Sequence, residues 1–194
     1  DGRVAIVIAD VSGHGVGSAM IMAGLRSTLH AEVQAGFSPA RVLEKANRLL
    51  VNDLGDSGMF VSVFLAAYDP TTGDLSYCNA GHPPPVLLLL GKPESHRLDV
   101  GGMLLGVVPE ATYELGTSRL DCGAVLVLYT DGLTEARSPG GELFGETLLV
   151  SLVRDGRELG SGELHAAIVG CLADHLKGGE AEDDVTLIVT SRKL

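Results

Sequence analysis

The sequence predicts an α+β fold of mostly antiparallel sheets with helices covering their outer faces. Three observations predict it. An apolar run near the start is followed by two amphipathic helical stretches, and a central region of short β-like segments is divided by Pro, Gly and Asp turns. Two further helical stretches then lead into a last apolar run. At 194 residues with 45% apolar content the chain can bury one sizeable core, so a single domain is the expectation, with no internal repeat and no low-complexity tract.

Each element has a local reason. Residues 4–15, VAIVIADVSGHG, form an apolar run that breaks off at Asp10 and enters a glycine-rich corner. This reads as a buried strand that delivers a rigidly held carboxylate at its end. Met22, Leu25, Leu29 and Val33 recur at helical spacing with Gly36 as a stop, which predicts a helix over residues 17–35. Ser38 and Pro39 suit the N-cap and first position of a second helix. Val42, Ala46, Leu49 and Leu50 are its buried stripe through to about Asp53, and the two helices are expected to pack together.

Residues 59–68 and 75–79 read as a hairpin joined by the Asp-Pro-Thr-Thr-Gly-Asp turn at 69–74. After the Pro83-Pro84-Pro85 break, residues 86–90, 113–120 and 124–130 read as strands, residues 145–154 and 162–177 as helices, and 185–190 as a closing strand. The chain opens on Asp1-Gly2, a hairpin-turn signal with no strand before it and no initiator Met, so an upstream strand is expected outside these residues.

Composition narrows the function classes. With 14 basic against 25 acidic residues, the chain lacks the clustered Lys and Arg that a nucleic-acid groove or an anionic membrane surface requires. Some of the carboxylates are instead expected to gather around cations. Cys78, Cys122 and Cys171 are widely spaced and never form a CxxC pair, so neither a disulfide framework nor a zinc site is indicated, and a reducing cytoplasm fits. No apolar stretch approaches the roughly 18 residues that span a bilayer, and the first residues resemble no signal peptide.

Three acidic positions share one design: Asp10, Asp131 and the pair Asp183-Asp184 each lie where an apolar run begins or ends. Folding could bring them to one sheet rim, where carboxylates repel unless cations neutralise them. Oxygen-only ligands favour Mg²⁺ or Mn²⁺ over zinc or copper.

The motifs DVSGHG (residues 10–15), NAGHPPP (79–85), YTDGLTEA (129–136) and EDDVTLIV (182–189) occur in an order that resembles the bacterial PPM-type serine/threonine phosphatases. The resemblance is to the branch named for SpoIIE, RsbU and RsbP and runs from the first residue to the last. It implies a sandwich of two antiparallel sheets flanked by helix pairs, with a two-metal Mn²⁺ or Mg²⁺ centre. By motif, Asp10 and the Val11 carbonyl would be ligands on one side and Asp131 and Asp183 on the other. Asp184 would be either a ligand or an orienting neighbour. The implied chemistry is attack of metal-activated water on phosphoserine or phosphothreonine without a covalent phosphoenzyme. Rival signatures are absent from the sequence: there is no HCxxGxxR loop, DxDxT motif, Walker A sequence or GxSxG elbow.

His14 reads equally as a turn residue or as the general acid for the leaving alkoxide, because animal members place a His closer to the ligand than His14 stands to Asp10. His82 reads as a loop stabiliser rather than a catalyst. His30, His96, His165 and His175 read as surface or satisfied residues. Gly101, Gly102 and Gly106 resemble a family loop near the active-site edge, with backbone permissiveness as their simplest role.

One departure bears on activity. Family members carry an upstream GGDxxD strand that supplies part of the metal site, and these residues begin after it. The two-metal centre is therefore expected to be incomplete in this piece, and the piece to be a poor catalyst. Its open edge would lower stability or favour pairing with another copy. The resemblance implies a phosphorylated anti-anti-sigma (STAS-type) protein as substrate, a cytoplasmic setting and an upstream sensor acting through the helices at residues 17–53. The alternatives are a catalytically impaired phosphatase-fold binding module and a two-metal hydrolase of small phosphorylated molecules.

Overall fold

In chain order the elements are β1 (Val4–Val11), α1 (Val16–Ala35), α2 (Pro39–Leu54), a short 3-10 turn (Gly55–Ser57), β2 (Val61–Tyr68), β3 (Asp74–Ala80), β4 (Val86–Leu88), β5 (Ser95–Arg97), β6 (Gly101–Gly102), β7 (Gly116–Arg119), β8 (Val125–Tyr129), α3 (Asp131–Thr134), α4 (Glu146–Asp155), α5 (Ser161–Leu176) and β9 (Leu187–Ser191). The computed structural model describes residues 2–35, 38–92 and 94–192, so the expectations placed on Asp1 and Gly36 lie outside the described residues. The chain divides into two compact units, Asp1–His82 with Leu98–Arg119 and Pro83–Arg97 with Leu120–Leu194.

The first unit carries a sheet in the order β1-β2-β3-β6, with β7 also pairing β3. Its ladders are antiparallel except for the short parallel pair at Asn79↔Gly101 and Ala80↔Gly102. The hairpin between β2 and β3 closes where Asp69 Oδ1 accepts the Thr71 amide at 2.8 Å and the Thr72 amide at 3.3 Å. Those two donors hold the Asp69 carboxyl below its usual range.

Strand β1 corrects the expectation of a buried strand. Ile8 and Val11 are buried, but Val4 and Val7 are 49% and 36% exposed, and among the described residues β1 pairs only with β2. An apolar run reads the same whether one face or both are covered, so its edge position was invisible to periodicity.

Helices α1 and α2 cover one face of this sheet. Leu25 and Leu29 of α1 and Val42, Leu43, Ala46 and Leu50 of α2 share a buried cluster with Val61, Val63 and Leu65 of β2. Lys45 and Glu32 add an ion pair at 2.6 Å between the helices. Its exposure keeps it to about 0–1 kcal/mol, so the apolar contact holds the pair together. Leu49, expected in the buried stripe, is 51% exposed because the stripe runs through Leu43, Ala46, Leu50 and Leu54 instead. Ser38 occupies the N-cap with extended backbone and Pro39 follows, yet the Ser38 side chain makes no capping hydrogen bond.

The second unit has the antiparallel sheet β5-β4-β8-β9. Leu149 and Val153 of α4 and Leu164, Ile168 and Leu172 of α5 pack on Val86, Val125, Val127 and Tyr129 of its strands. Strands were shorter than their apolar runs suggested: β4 stops at Leu88, leaving Leu90 58% exposed, β7 spans only Gly116–Arg119, and β9 starts at Leu187.

Burial also sorts the thiols. Cys78 in β3 is buried, and burial, with the Glu44 charge adding to it, pushes the thiol up to about 12, whereas Cys122 is exposed. Iodoacetamide at pH 8, read by mass spectrometry, should label Cys122 in the folded chain and Cys78 only after denaturation. Equal native labelling of the two would contradict the packing of β3.

Candidate metal centre

In the first unit, Asp10 is the penultimate residue of β1 and lies opposite Ser62 of β2. The corner beyond it is tied twice to Phe60, the residue before β2: the Ser12 amide donates to the Phe60 carbonyl at 2.9 Å, and the Phe60 amide donates to Ser12 Oγ at 2.9 Å. Gly13 and Gly15 then turn the chain with φ of 84° and 91°, a region closed to most side chains. Asp10 is half-buried and Val11 is buried within the α1–α2 cluster, so the carboxylate sits on a backbone fixed from both sides. His14 is exposed within the turn.

The end of β3 is a second fixed point. Asn79 Oδ1 accepts the His82 amide at 2.8 Å, and Asn79 Nδ2 donates to the His82 carbonyl at 3.0 Å and to the Leu98 carbonyl at 3.2 Å. The buried His82 ring meets Ser62 Oγ through Nδ1 at 2.8 Å. The His82 backbone is held in its loop by the Asn79 side chain, while its ring reaches back to β2. His30 meets Gln34 Nε2 at 3.0 Å within its own helix, and His175 meets the Glu142 carbonyl at 2.9 Å across 33 residues.

The glycines at 101–106 act by close approach more than by backbone freedom. A Cβ on Gly101 would collide with the Asn79 carbonyl and one on Gly102 with the Thr112 carbonyl at 2.7 Å, whereas only Gly106, at φ 87°, needs the left-handed region. Asn47, fully buried on α2, holds this loop by accepting the Gly106 amide at 2.8 Å and donating to the Val108 carbonyl at 2.8 Å.

In the second unit, β8 ends at Tyr129 and Asp131 opens the one-turn helix α3. The strand expected to run through Thr130 stops at Tyr129, and Thr130 is the N-cap that stands between it and Asp131. Thr130 clasps the segment that precedes β9. Its amide donates to the Thr186 carbonyl at 3.1 Å, its Oγ1 accepts the Thr186 amide at 2.9 Å, and its hydroxyl donates to the Asp184 carbonyl at 3.1 Å. Gly132 lies flat on this segment, since a Cβ there would meet the Asp184 carbonyl carbon at 3.0 Å and the Asp183 carbonyl at 3.2 Å.

The result is a carboxylate pair. Asp131, half-buried, and Asp183, exposed, each offer an oxygen within 4.8 Å of the other. The Asp184 amide donates to Asp183 Oδ1 at 2.7 Å, which fixes one oxygen and leaves the second for a cation. Asp184 itself is exposed and contributes through its backbone at both ends. An all-carboxylate donor pair of this kind has the chemistry that would suit Mg²⁺ or Mn²⁺. Thr130, Gly132, Ser62 and Asn79 escaped the reading of the sequence as site residues. The Thr-Asp-Gly triplet after an apolar run was the one signal that pointed to the first two.

Two sheets, each with its own helix pair, match the fold of solved PPM Ser-Thr phosphatase domains. The family profile described as Stage II sporulation protein E (SpoIIE) matches residues 1–193, and the chain belongs to that family. Protein IcfG of Synechocystis is 32% identical over 99% of the chain and 34% of its own length. Phosphoserine phosphatase RsbU of Bacillus subtilis is 30% identical over 97% of the chain and 56% of its own length. A crystal structure of the RsbU and RsbW domains of a Mycobacterium tuberculosis protein superposes with a TM-score of 0.78 at 27% identity, over 99% of this chain and 53% of that one. The chain thus spans between a third and about half of these relatives.

Proposed function

We propose that this chain is the catalytic domain of a metal-dependent protein serine/threonine phosphatase, acting on a phosphoserine or phosphothreonine of an anti-anti-sigma (STAS-type) regulatory protein. The observation that carries the reading is the Asp131–Asp183 carboxylate pair, with oxygens within 4.8 Å of one another on residues matched by the SpoIIE family. The substrate class rests on the family branch and on the relative named phosphoserine phosphatase RsbU.

In this reading Asp131 and Asp183 are metal ligands, Asp10 and the Val11 carbonyl join them on the strength of the motif order, and Asp184 orients Asp183 through its amide. Two bound Mn²⁺ or Mg²⁺ ions would lower the pKa of a water and stabilise both oxygens of an in-line displacement. The chain's own work is positional. Thr130 locks the Asp131 turn to the Asp183 segment, and the Ser12–Phe60 ties lock the Asp10 corner. His14, exposed beside that corner, is the candidate donor of the proton to the leaving alkoxide. Val11 shares a packed cluster with Leu25 and Leu29, so a tilt of α1 by a sensor would move the Asp10 corner. No helix among the described residues is long and apolar enough to cross a membrane.

The test is phosphate release from a phosphoserine STAS-type protein by the full-length protein. Turnover should require Mn²⁺ or Mg²⁺, stop on chelation and return when the metal is restored. Turnover indifferent to chelator would refute the reading. Binding of the phosphoprotein without turnover by the full-length protein would favour the binding module instead.

A further inference from the structure

At the end of the first sheet, two residues on neighbouring strands and one from the loop after β3 form a row. Asp10 on β1 lies directly opposite Ser62 on β2, and directly opposed residues of an antiparallel pair project from the same face with Cβ atoms about 4.5–5.5 Å apart. Ser62 in turn meets His82 Nδ1 at 2.8 Å. His82 is only 3% exposed, and its backbone is held on both sides by Asn79, so the ring is presented to Ser62 by a rigid loop. Gly81, at φ 69°, makes the turn that delivers it.

We propose that His82 and Ser62 are positioning residues for Asp10, a relay in which the imidazole orients the Ser62 hydroxyl and the hydroxyl orients the carboxylate. The inference rests on the reading of Asp10 as a metal ligand. A hydroxyl has one proton to give and two lone pairs to receive with. In the Nδ1–H tautomer the ring donates to Ser62 Oγ, and the hydroxyl proton is then free to be donated to the neighbouring Asp10 carboxylate. A carboxylate held by such a donor keeps one orientation toward a cation, and outer groups of this kind commonly matter tenfold or more for metal affinity. The NAGH segment thus acquires a role beyond bracing its own loop: Asn79 fixes the backbone, Gly81 turns it, and His82 reaches two strands back toward the metal ligand.

The test is Mn²⁺ affinity by titration calorimetry on the full chain, with thermal midpoints measured alongside. Ser62→Ala and His82→Ala should each weaken Mn²⁺ binding about tenfold, and the double variant should be little worse than either single one, because the two act in series. His82→Asn should restore most of the loss, since its amide nitrogen can take the place of Nδ1 while a mere space-filling role would not be rescued. Wild-type affinity in Ser62→Ala, or equal losses in His82→Asn and His82→Ala, would overturn the relay. Asp10→Asn separates this inference from the reading beneath it. Unchanged affinity there sinks the ligand assignment and the relay with it, whereas a loss there with a wild-type Ser62→Ala sinks the relay alone.

Discussion

Replacing Asp131 with Ala should lower metal-dependent phosphatase turnover by roughly 10³-fold, since metal ions contribute several kcal/mol of transition-state stabilisation and each 1.36 kcal/mol is a factor of ten. The fold should survive. The side chain is half-buried at the start of a one-turn helix, and no apolar contact of the second core depends on it. Removing one member of a like-charge pair whose oxygens lie within 4.8 Å relieves repulsion in the metal-free chain. Metal-free Asp131→Ala should therefore melt at the same temperature as wild type or slightly above it, while wild type alone gains stability when Mn²⁺ is added. Phosphate release and a thermal melt with and without Mn²⁺ check both halves. Retained turnover, or a metal-free melt many degrees lower, would each count against the assignment.

Gly132→Ala should cost about 10²-fold in turnover although residue 132 holds no metal and touches no substrate in this account. The added Cβ would lie 3.0 Å from the Asp184 carbonyl carbon and 3.2 Å from the Asp183 carbonyl, with the Asp184 oxygen closer still. All three are backbone atoms, so no rotamer change relieves the clash and the 183–184 segment must move. Overpacking of this kind costs about 1–3 kcal/mol of stability. A displacement approaching 1 Å at a reacting centre costs on the order of 10²-fold in rate. The informative comparison is kcat against melting temperature. A large loss of kcat with a modest drop in melting temperature supports the close approach, and a fully active variant would show that Gly132 has room to spare.

The fold was legible where periodicity and turn chemistry agreed. Ser38-Pro39 followed by Val42, Ala46 and Leu50 set α2 almost to the residue, and the turn around Asp69 set the β2–β3 hairpin. Strands β5 and β6 were not foreseen, because three residues of Ser-His-Arg and two of Gly-Gly have no pattern of their own and become strands only by pairing with β4 and β3. Helix α3 is four residues long and leaves no period to read. The half-exposed state of β1 depends on what lies beside it and not on its own residues.

The site divides in the same way. Asp10, Asp131 and Asp183 could be picked out as carboxylates at the borders of apolar runs, and their family motifs supported the choice. The groups that hold them could not. Thr130 bonds to Asp184 and Thr186 across more than fifty residues, and His82 meets Ser62 across twenty, so both contacts exist only after the sheets have formed. A polar residue next to a ligand reads as an ordinary turn residue until its partner is known.

The central claim is that the Asp131–Asp183 pair holds a divalent cation, and direct Mn²⁺ titration of the full chain beside its Asp131→Ala variant tests it without reference to any substrate. Wild type should bind Mn²⁺ saturably, and the variant should bind it at least tenfold more weakly. Equal Mn²⁺ affinity in the two proteins would contradict it.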